Sequence, residues 1–236
     1  ELDEVDATNF DRVMSFDPYI ARTADRVLPV WRSLPLPVAD RFYRPVREGP
    51  VRSQPLFVGR STPHRERLLV DAKHDFEIMH VAFGAGAAQL ERLMAGHDVA
   101  INVHNNPYPS FENRVCLHLA AGHLVLSEPL SPLHGLEPGI DFVEFDLPVQ
   151  LGELLRALRE TPMVWRSVRV RGRRKAEQYR ASRVYPRIFR DLFLDVRAFG
   201  SPRGCHADRP PRASRAIGGH DECGATHAIP RGFAHG

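Results

Sequence analysis

This chain of 236 residues has little cysteine, no long apolar run and only a small excess of positive charge. Its three cysteines are widely spaced, which argues against the disulfide framework of a small secreted protein. No apolar run approaches the roughly 20 residues that a membrane-spanning helix needs. The first residues are acidic and lack the apolar core of a signal peptide. We therefore expect a cytoplasmic globular protein without a transmembrane segment.

The middle of the chain, residues 51–196, alternates between short apolar runs and amphipathic stretches. The expected strands are Pro55–Gly59, Glu77–Phe83, Val99–Val103, His123–Ser127 and Asp141–Phe145. The expected helices between and after them include Pro63–Lys73, Ala87–Ala95, a helix that ends at Gly122, and Pro148–Arg159. Strands that alternate with helices predict an α/β fold with a doubly wound parallel sheet of the Rossmann type.

The flanking parts, residues 1–50 and 197–236, differ from the middle in composition. Residues 1–50 contain one expected strand, one short helix and a stretch from Leu28 to Pro45 whose four prolines exclude a long helix or a central strand. After Phe199 the apolar period disappears and Gly, Pro, Arg and His dominate, which predicts a disordered tail. Because the chain begins with Glu1 instead of methionine, we expect a fragment or a processed product.

The tail contains cysteines and histidines that invite comparison with a zinc site. They are Cys205, His206, His220, Cys223 and His227. No pair of closely spaced cysteines accompanies them, and the surrounding sequence has no core that would order the ligands. The sequence therefore predicts no metal site.

Polar side chains gather in two loops that follow expected strands. One loop begins with Gly59 and carries Arg60 and Arg65, which can form paired hydrogen bonds to phosphate oxygens. The other begins with His104 and leads through Ser110, Glu112 and Asn113 to Arg114 at the start of a helix. Polar groups at a helix start beyond the carboxyl end of a parallel strand are typical of a site for an anionic ligand. We expect Ser110 to cap the helix.

The order of several spaced pieces resembles a known family over about residues 10–193. The pieces are Phe111-Glu112-Asn113-Arg114-Val115, Ala120-Ala121-Gly122, Ser127-Glu128 and the loop Gly135–Phe142. They resemble the C-terminal, nucleotide-sugar-binding half of GT-B glycosyltransferases, especially the bacterial spore-maturation-type group and other group 1-like enzymes. In that case residues 1–50 are the end of the N-terminal half with its Pro-rich linker, and most of the acceptor-binding half is missing from this chain.

The resemblance implies a glycosyltransferase that takes a nucleotide-diphosphate sugar as donor and a glycan, lipid or protein as acceptor. It implies no bound metal or other cofactor. The donor would contact residues of both loops and of the next strand end: Gly59, Arg60, Arg65, His104, Ser110, Glu112, Asn113, Arg114 and Glu128. No catalytic residue is assigned, because the base of an inverting enzyme of this type usually comes from the N-terminal half.

One feature departs from the family pattern. Many retaining members carry a second glutamate in the helix, which binds the nucleotide ribose, and the positions where it would fall are Leu117 or Ala120 here. Ribose recognition would then depend on another residue, for which Glu128 is the candidate. The alternative hypothesis is a non-catalytic remnant that binds a nucleotide or a protein partner.

Arginines are concentrated between Arg166 and Arg190. Such a run can face nucleic acid, anionic lipid or an anionic sugar, or it can be the solvated face of a helix. Apolar residues interleave with the arginines at a spacing typical of a helix packed on one side. Because no nucleic-acid-binding motif accompanies the run, we expect no nucleic-acid partner.

Overall fold

A computed structural model describes residues 5–52 and 54–200, and it contains the α/β alternation that the sequence predicts. The strands are β1 (Val13–Ser15), β2 (Val30–Ser33), β3 (Pro55–Val58), β4 (Met79–Val81), β5 (Val99–Asn102), β6 (Leu124–Ser127) and β7 (Val143–Glu144). The α-helices are α1 (Pro18–Ala24), α2 (Pro63–Asp75), α3 (Ala87–Gly96), α4 (Arg114–Ala120), α5 (Pro148–Glu160), α6 (Arg166–Lys175) and α7 (Ala181–Phe199). The predicted disordered tail and its cysteines and histidines from residue 201 on lie outside the described residues.

Within the described part of the chain, β3 to β7 form one parallel sheet in the order β4-β3-β5-β6-β7. The predicted doubly wound parallel sheet is therefore confirmed. The chain runs from β3 outward to β4 and then returns past β3 to β5, so the order reverses between β3 and β5. In open α/β sheets this reversal opens a crevice at the carboxyl ends of the two strands, and ligands bind there.

The sheet is buried because its strands are continuous apolar runs covered on both faces. Every residue of β5 and β6 is buried. Neighbouring residues of a strand point to opposite faces, so Leu56 packs with α4, and Phe57 packs with α2 and α5. Gly172 has no Cβ atom and lets α6 approach the backbone of Asp141 closely. Helix α6 thereby covers the face of the sheet to which Leu56 points.

A buried ion pair holds the start of β5. Asp98 accepts a hydrogen bond from Arg169 of α6 at 2.5 Å and is also paired with Arg47. Burial alone would raise the pKa of Asp98, but hydrogen bonds from Arg47 and the Arg52 backbone N–H, together with the charge of Arg169, lower it to about 2. The carboxylate thus stays charged and ties the linker, the sheet and α6 together.

The N-terminal residues pack against the C-terminal helix. β1 and β2 are parallel to each other and are joined by α1. Arg12 and Arg32 pair with Asp195 and Asp191 of α7, each at 2.7 Å. The arginine-rich run is divided between α6 and α7 by a 3-10 turn and an extended Arg180. None of the helices in the described ranges is long and apolar enough to cross a bilayer.

Candidate functional site

Gly59 follows β3 at the reversal point and lies against two arginines. A Cβ atom at this position would be 2.6 Å from Nη1 of Arg114 and 3.3 Å from Nη1 of Arg65. The glycine therefore leaves the space in which the two guanidinium groups approach the strand end. Arg114 uses that approach to donate a hydrogen bond of 2.9 Å to the carbonyl oxygen of Val58.

Arg65, in the first turn of α2, ties the ends of the two strands together. Its Nε donates to the carbonyl oxygens of Val103 and His104 at 3.0 and 3.1 Å, and its Nη1 donates to that of Arg60 at 3.0 Å. Its side chain is only 3% exposed. Burial and the nearby charge of Arg114 lower the pKa of Arg65 to about 10, although Glu112 opposes this effect. Arg65 is thus a charged group held rigidly under the surface of the site.

Glu112 connects the two buried arginines. Its Oε2 accepts a hydrogen bond of 2.7 Å from Arg114, and its Oε1 lies 3.5 Å from Nη2 of Arg65. Glu112 immediately precedes the N-cap residue of α4, so the carboxylate also lies near the positive end of this helix. Its oxygens are engaged by protein groups, which fixes the orientation of both guanidinium groups.

Arg60 differs from the other two arginines in being exposed. Its Nε donates to Oδ1 of Asn105 at 3.2 Å, and no other partner of its guanidinium group is found among the described residues. The Asn105 backbone carbonyl also accepts a hydrogen bond of 3.1 Å from the hydroxyl of Thr62. The two loops of the site therefore contact each other, and most donors of Arg60 remain available to a ligand.

His104 is buried behind the second loop, with both ring nitrogens engaged. Its Nε2 lies 2.8 Å from the carbonyl oxygen of Pro129, so this nitrogen carries the hydrogen. In the neutral ring Nδ1 then accepts a hydrogen bond of 3.0 Å from the hydroxyl of Ser110. Ser110 thereby fixes the loop by a tertiary contact.

The prediction that Ser110 caps the helix is wrong. The helix starts at Arg114 with Asn113 at the N-cap position, and no side chain forms a cap hydrogen bond there. The hydroxyl of Ser110 lies against His104 instead, because the loop folds back over the end of β5. Oδ1 of Asn113 accepts a hydrogen bond of 3.0 Å from the backbone N–H of Leu36. The Asn113 side chain therefore contacts the Pro-rich linker and not the arginine cluster, which consists of Arg60, Arg65 and Arg114.

Glu128, at the end of β6, is 7% exposed and connects the two loops from below. One oxygen accepts the backbone N–H of His104 at 2.5 Å, and the other lies 2.9 Å from Nε2 of His64. His64 was not among the residues that the sequence assigned to the site. Its position in the first turn of the helix that follows Gly59 was the signal that could have identified it.

The structure thus brings most of the predicted site residues into one connected group at the carboxyl edge of the sheet. The group contains Gly59, Arg60, Arg65, His104, Ser110, Glu112, Arg114 and Glu128. The guanidinium group of Arg60 faces solvent, and those of Arg65 and Arg114 lie behind it with little exposure. An arrangement of this kind can hold a polyanionic group and stabilise negative charge that forms on it.

The fold is similar to several solved structures, although no family model and no curated protein sequence matches the chain. Anabaena HepE in complex with UDP-glucose shares 12% sequence identity at a TM-score of 0.58, over 80% of this chain and 65% of that chain. HepE with UDP and glucose aligns with a TM-score of 0.59 at the same identity. The GtfA/B complex aligns with a TM-score of 0.50 and 12% identity, over 81% of this chain and 46% of that chain.

These neighbours are GT-B glycosyltransferases, and the chain spans less than two thirds of the length of each of them. At such low identity the similarity establishes the fold and not the substrate. The five parallel strands and the helices on both of their faces correspond to the Rossmann-like half that the sequence resemblance predicted. The chain therefore shares a Rossmann-like α/β fold with GT-B glycosyltransferases.

Proposed function

We propose that this protein is a glycosyltransferase that binds a nucleotide-diphosphate sugar in the crevice between the ends of β3 and β5. The observation that carries the proposal is the convergence of Arg60, Arg65 and Arg114 around Gly59 at this reversal point. Anionic ligands of open parallel sheets bind at such a position. The complexes of HepE with UDP-glucose and with UDP support a donor of this class.

In this proposal the arginines stabilise the diphosphate as it leaves the sugar. Arg60 is exposed and contacts the phosphate oxygens directly. Arg65 and Arg114 are already oriented by Glu112 and by strand-end carbonyls, so they supply positive charge without reorganisation when the bond to the sugar breaks. Burial and the charge of Arg114 lower the pKa of Arg65, and an anion in the crevice would offset both effects.

The remaining site residues act on the shape of the crevice. His104 and Ser110 hold the second loop, while Glu128 ties that loop to α2 through His64. Because both oxygens of Glu128 are engaged, we assign it to positioning rather than to the ribose. Asn113 couples the site helix to the linker at Leu36.

The nucleotide-sugar donor and the low cysteine content together support a cytoplasmic location.

Calorimetric titration of the full chain with UDP, GDP and dTDP tests the donor site. We expect one nucleotide to bind, and Arg60→Ala to weaken it by about tenfold or more, since an exposed charge-assisted contact to phosphate is lost. Arg67→Ala is the control, because Arg67 is an exposed arginine of α2 outside the site. Equal affinities of the two variants for the nucleotide would contradict the assignment.

A second measurement separates the enzyme from the non-catalytic alternative. The nucleotide that binds defines which UDP-, GDP- or dTDP-sugars are incubated with the protein, and release of free nucleoside diphosphate is followed by chromatography. We expect release that depends on Arg60. Tight binding without release in the presence of glycan, lipid and protein acceptors would favour a binding module over an enzyme.

A further inference from the structure

A cavity lies between α1 and the loop that leads from the proposed donor site to α4. Its volume is about 660 Å³. It is lined by Asp17, Tyr19, Ile20, Tyr108, Pro109 and Ser131, among others. None of these residues belongs to the arginine cluster. The volume is within the range of pockets that hold small organic ligands.

Two tyrosine side chains flank the cavity and are unusually exposed. Tyr19 is 57% exposed and Tyr108 is 59% exposed. Their hydroxyl groups are held in place, because Tyr19 Oη lies 3.3 Å from Oγ of Ser131 and Tyr108 Oη accepts a hydrogen bond of 3.1 Å from Asn106. More than half of each side chain is thus accessible while its hydroxyl group is held. Such surfaces suit a ligand that has an apolar face and polar edges.

Polar groups complete the wall of the cavity. Oδ1 of Asp17 caps α1 by accepting the backbone N–H groups of Tyr19 and Ile20 at 2.8 and 3.4 Å. Its second oxygen has no hydrogen-bond partner among the described residues and can accept a hydroxyl. The hydroxyl of Ser131 can donate or accept in the same cavity. An apolar wall with a few well-placed polar groups is typical of a specific binding site.

One short loop links the cavity to the proposed donor site. Tyr108 and Pro109 line the cavity, and Ser110, the next residue, bonds to the ring of His104 in the donor site. The backbone N–H of Ser131 lies 3.4 Å from the carbonyl oxygen of Ser110 and fixes the two regions to each other. The loop that borders the proposed donor site therefore also forms one wall of the cavity.

We propose that this cavity binds the acceptor and that the acceptor is a carbohydrate. The proposal rests on the proposed function, which supplies the donor in the neighbouring crevice. A sugar ring presents C–H groups on its faces, which pack on the two tyrosines, and hydroxyl groups on its edges, which bond to Asp17 and Ser131. A fatty chain would offer no hydrogen bond to the second carboxylate oxygen of Asp17 or to the hydroxyl of Ser131, so the polar lining favours a sugar over a lipid.

Saturation-transfer NMR on the full chain tests the assignment. The sugar probes are methyl β-D-glucopyranoside, methyl β-D-galactopyranoside, methyl α-D-mannopyranoside, cellobiose and maltose. Sodium octanoate is the lipid probe. We expect at least one sugar to bind, and Tyr19→Ala and Tyr108→Ala to weaken its binding by roughly tenfold each. Tyr185→Ala is the control, because Tyr185 is an exposed tyrosine of α7 that does not line the cavity. Circular dichroism confirms that each variant is folded.

Each outcome distinguishes the two proposals when UDP, GDP and dTDP are titrated into the same samples. Nucleotide binding without binding of any sugar overturns the cavity assignment alone, as does sugar binding that Tyr185→Ala weakens as much as the cavity variants do. Octanoate binding that depends on Tyr19 and Tyr108, in the absence of sugar binding, overturns the carbohydrate assignment. Sugar binding that depends on both tyrosines, without nucleotide binding, retains the carbohydrate site and overturns the proposed function.

Discussion

Nε2 of His64 lies 2.9 Å from Oε1 of Glu128, and the two side chains join the first turn of α2 to the end of β6. The other oxygen of Glu128 accepts the backbone N–H of His104 beyond β5. One carboxylate thus holds three segments that are far apart in the chain. Short-range preferences do not fix loops at the edge of a sheet in one conformation, so this contact helps to position them.

Replacing Glu128 by alanine tests this contact. The substitution leaves the buried N–H of His104 without its acceptor, and an unsatisfied buried donor costs about 1–3 kcal/mol. We expect the free energy of unfolding in urea to fall by that amount. Glu160→Ala, at the exposed end of α5, should change it by less than about 0.5 kcal/mol. Equal losses in the two variants would contradict the role of Glu128.

Gly59→Ala tests whether the arginine arrangement matters for the nucleotide. The new Cβ atom would be 2.6 Å from Nη1 of Arg114, so this guanidinium group must move away from the carbonyl of Val58. We expect the calorimetric affinity for the nucleotide to fall by about tenfold. Gly86→Ala serves as control, because a Cβ atom at Gly86 has open space around it. An unchanged affinity in Gly59→Ala would show that Arg114 does not contribute.

Gly172 and Gly152 are helical glycines for which opposite effects are expected. A Cβ atom at Gly172 would be 2.2 Å from the backbone oxygen of Asp141, and backbone cannot move aside as a side chain does. Gly172→Ala should therefore lower the free energy of unfolding by about 1–3 kcal/mol or more. A Cβ atom at Gly152 meets nothing within 4 Å, so Gly152→Ala should raise it by roughly 0.5–1 kcal/mol. Urea denaturation of both variants checks the signs.

A buried histidine pair predicts loss of stability in mild acid. His123 lies 2.8 Å from the carbonyl oxygen of Met94 through Nε2, and 3.1 Å from Nδ1 of His118 through its own Nδ1. Burial lowers the pKa of His123 from 6.5 to about 4 and lowers that of His118 well below its ordinary value. The unfolded chain therefore takes up protons first as the pH falls.

By proton linkage, the stabilisation is complete above pH 6.5 and is lost as the pH falls from there towards about 4. The expected loss from His123 alone is up to about 3 kcal/mol. Urea denaturation at several pH values in this range measures the loss as the slope of the free energy of unfolding against pH. The slope should flatten in a His118→Leu/His123→Leu double variant and remain in His74→Gln, which changes an exposed histidine. The same slope in the double variant as in the unaltered chain would disprove the assignment.

Several features of this protein follow from the sequence alone. Apolar runs bounded by Gly and Pro predicted β3, α2 and α5 to within a few residues, because strand and helix periods depend on neighbours along the chain. Their alternation was sufficient to predict the parallel sheet. Gly59, Arg60 and Arg114 were also expected near strand and helix ends, and they occur there.

Only the tertiary structure decided which partner each polar side chain takes. Ser110 is of a residue type that commonly caps helices, but its hydroxyl bonds to His104. Arg65 lies in the sequence where a ligand contact was expected, but its side chain is buried under the strand ends. His64 joined the site through Glu128, which lies 64 residues away in the chain. The sequence determined the local elements and the residue types at the sheet edge, because these depend on short-range preferences. The hydrogen-bond partners depend on which loops come into contact once the sheet has formed. These contacts join residues far apart in the chain, so the pattern within a single segment does not predict them.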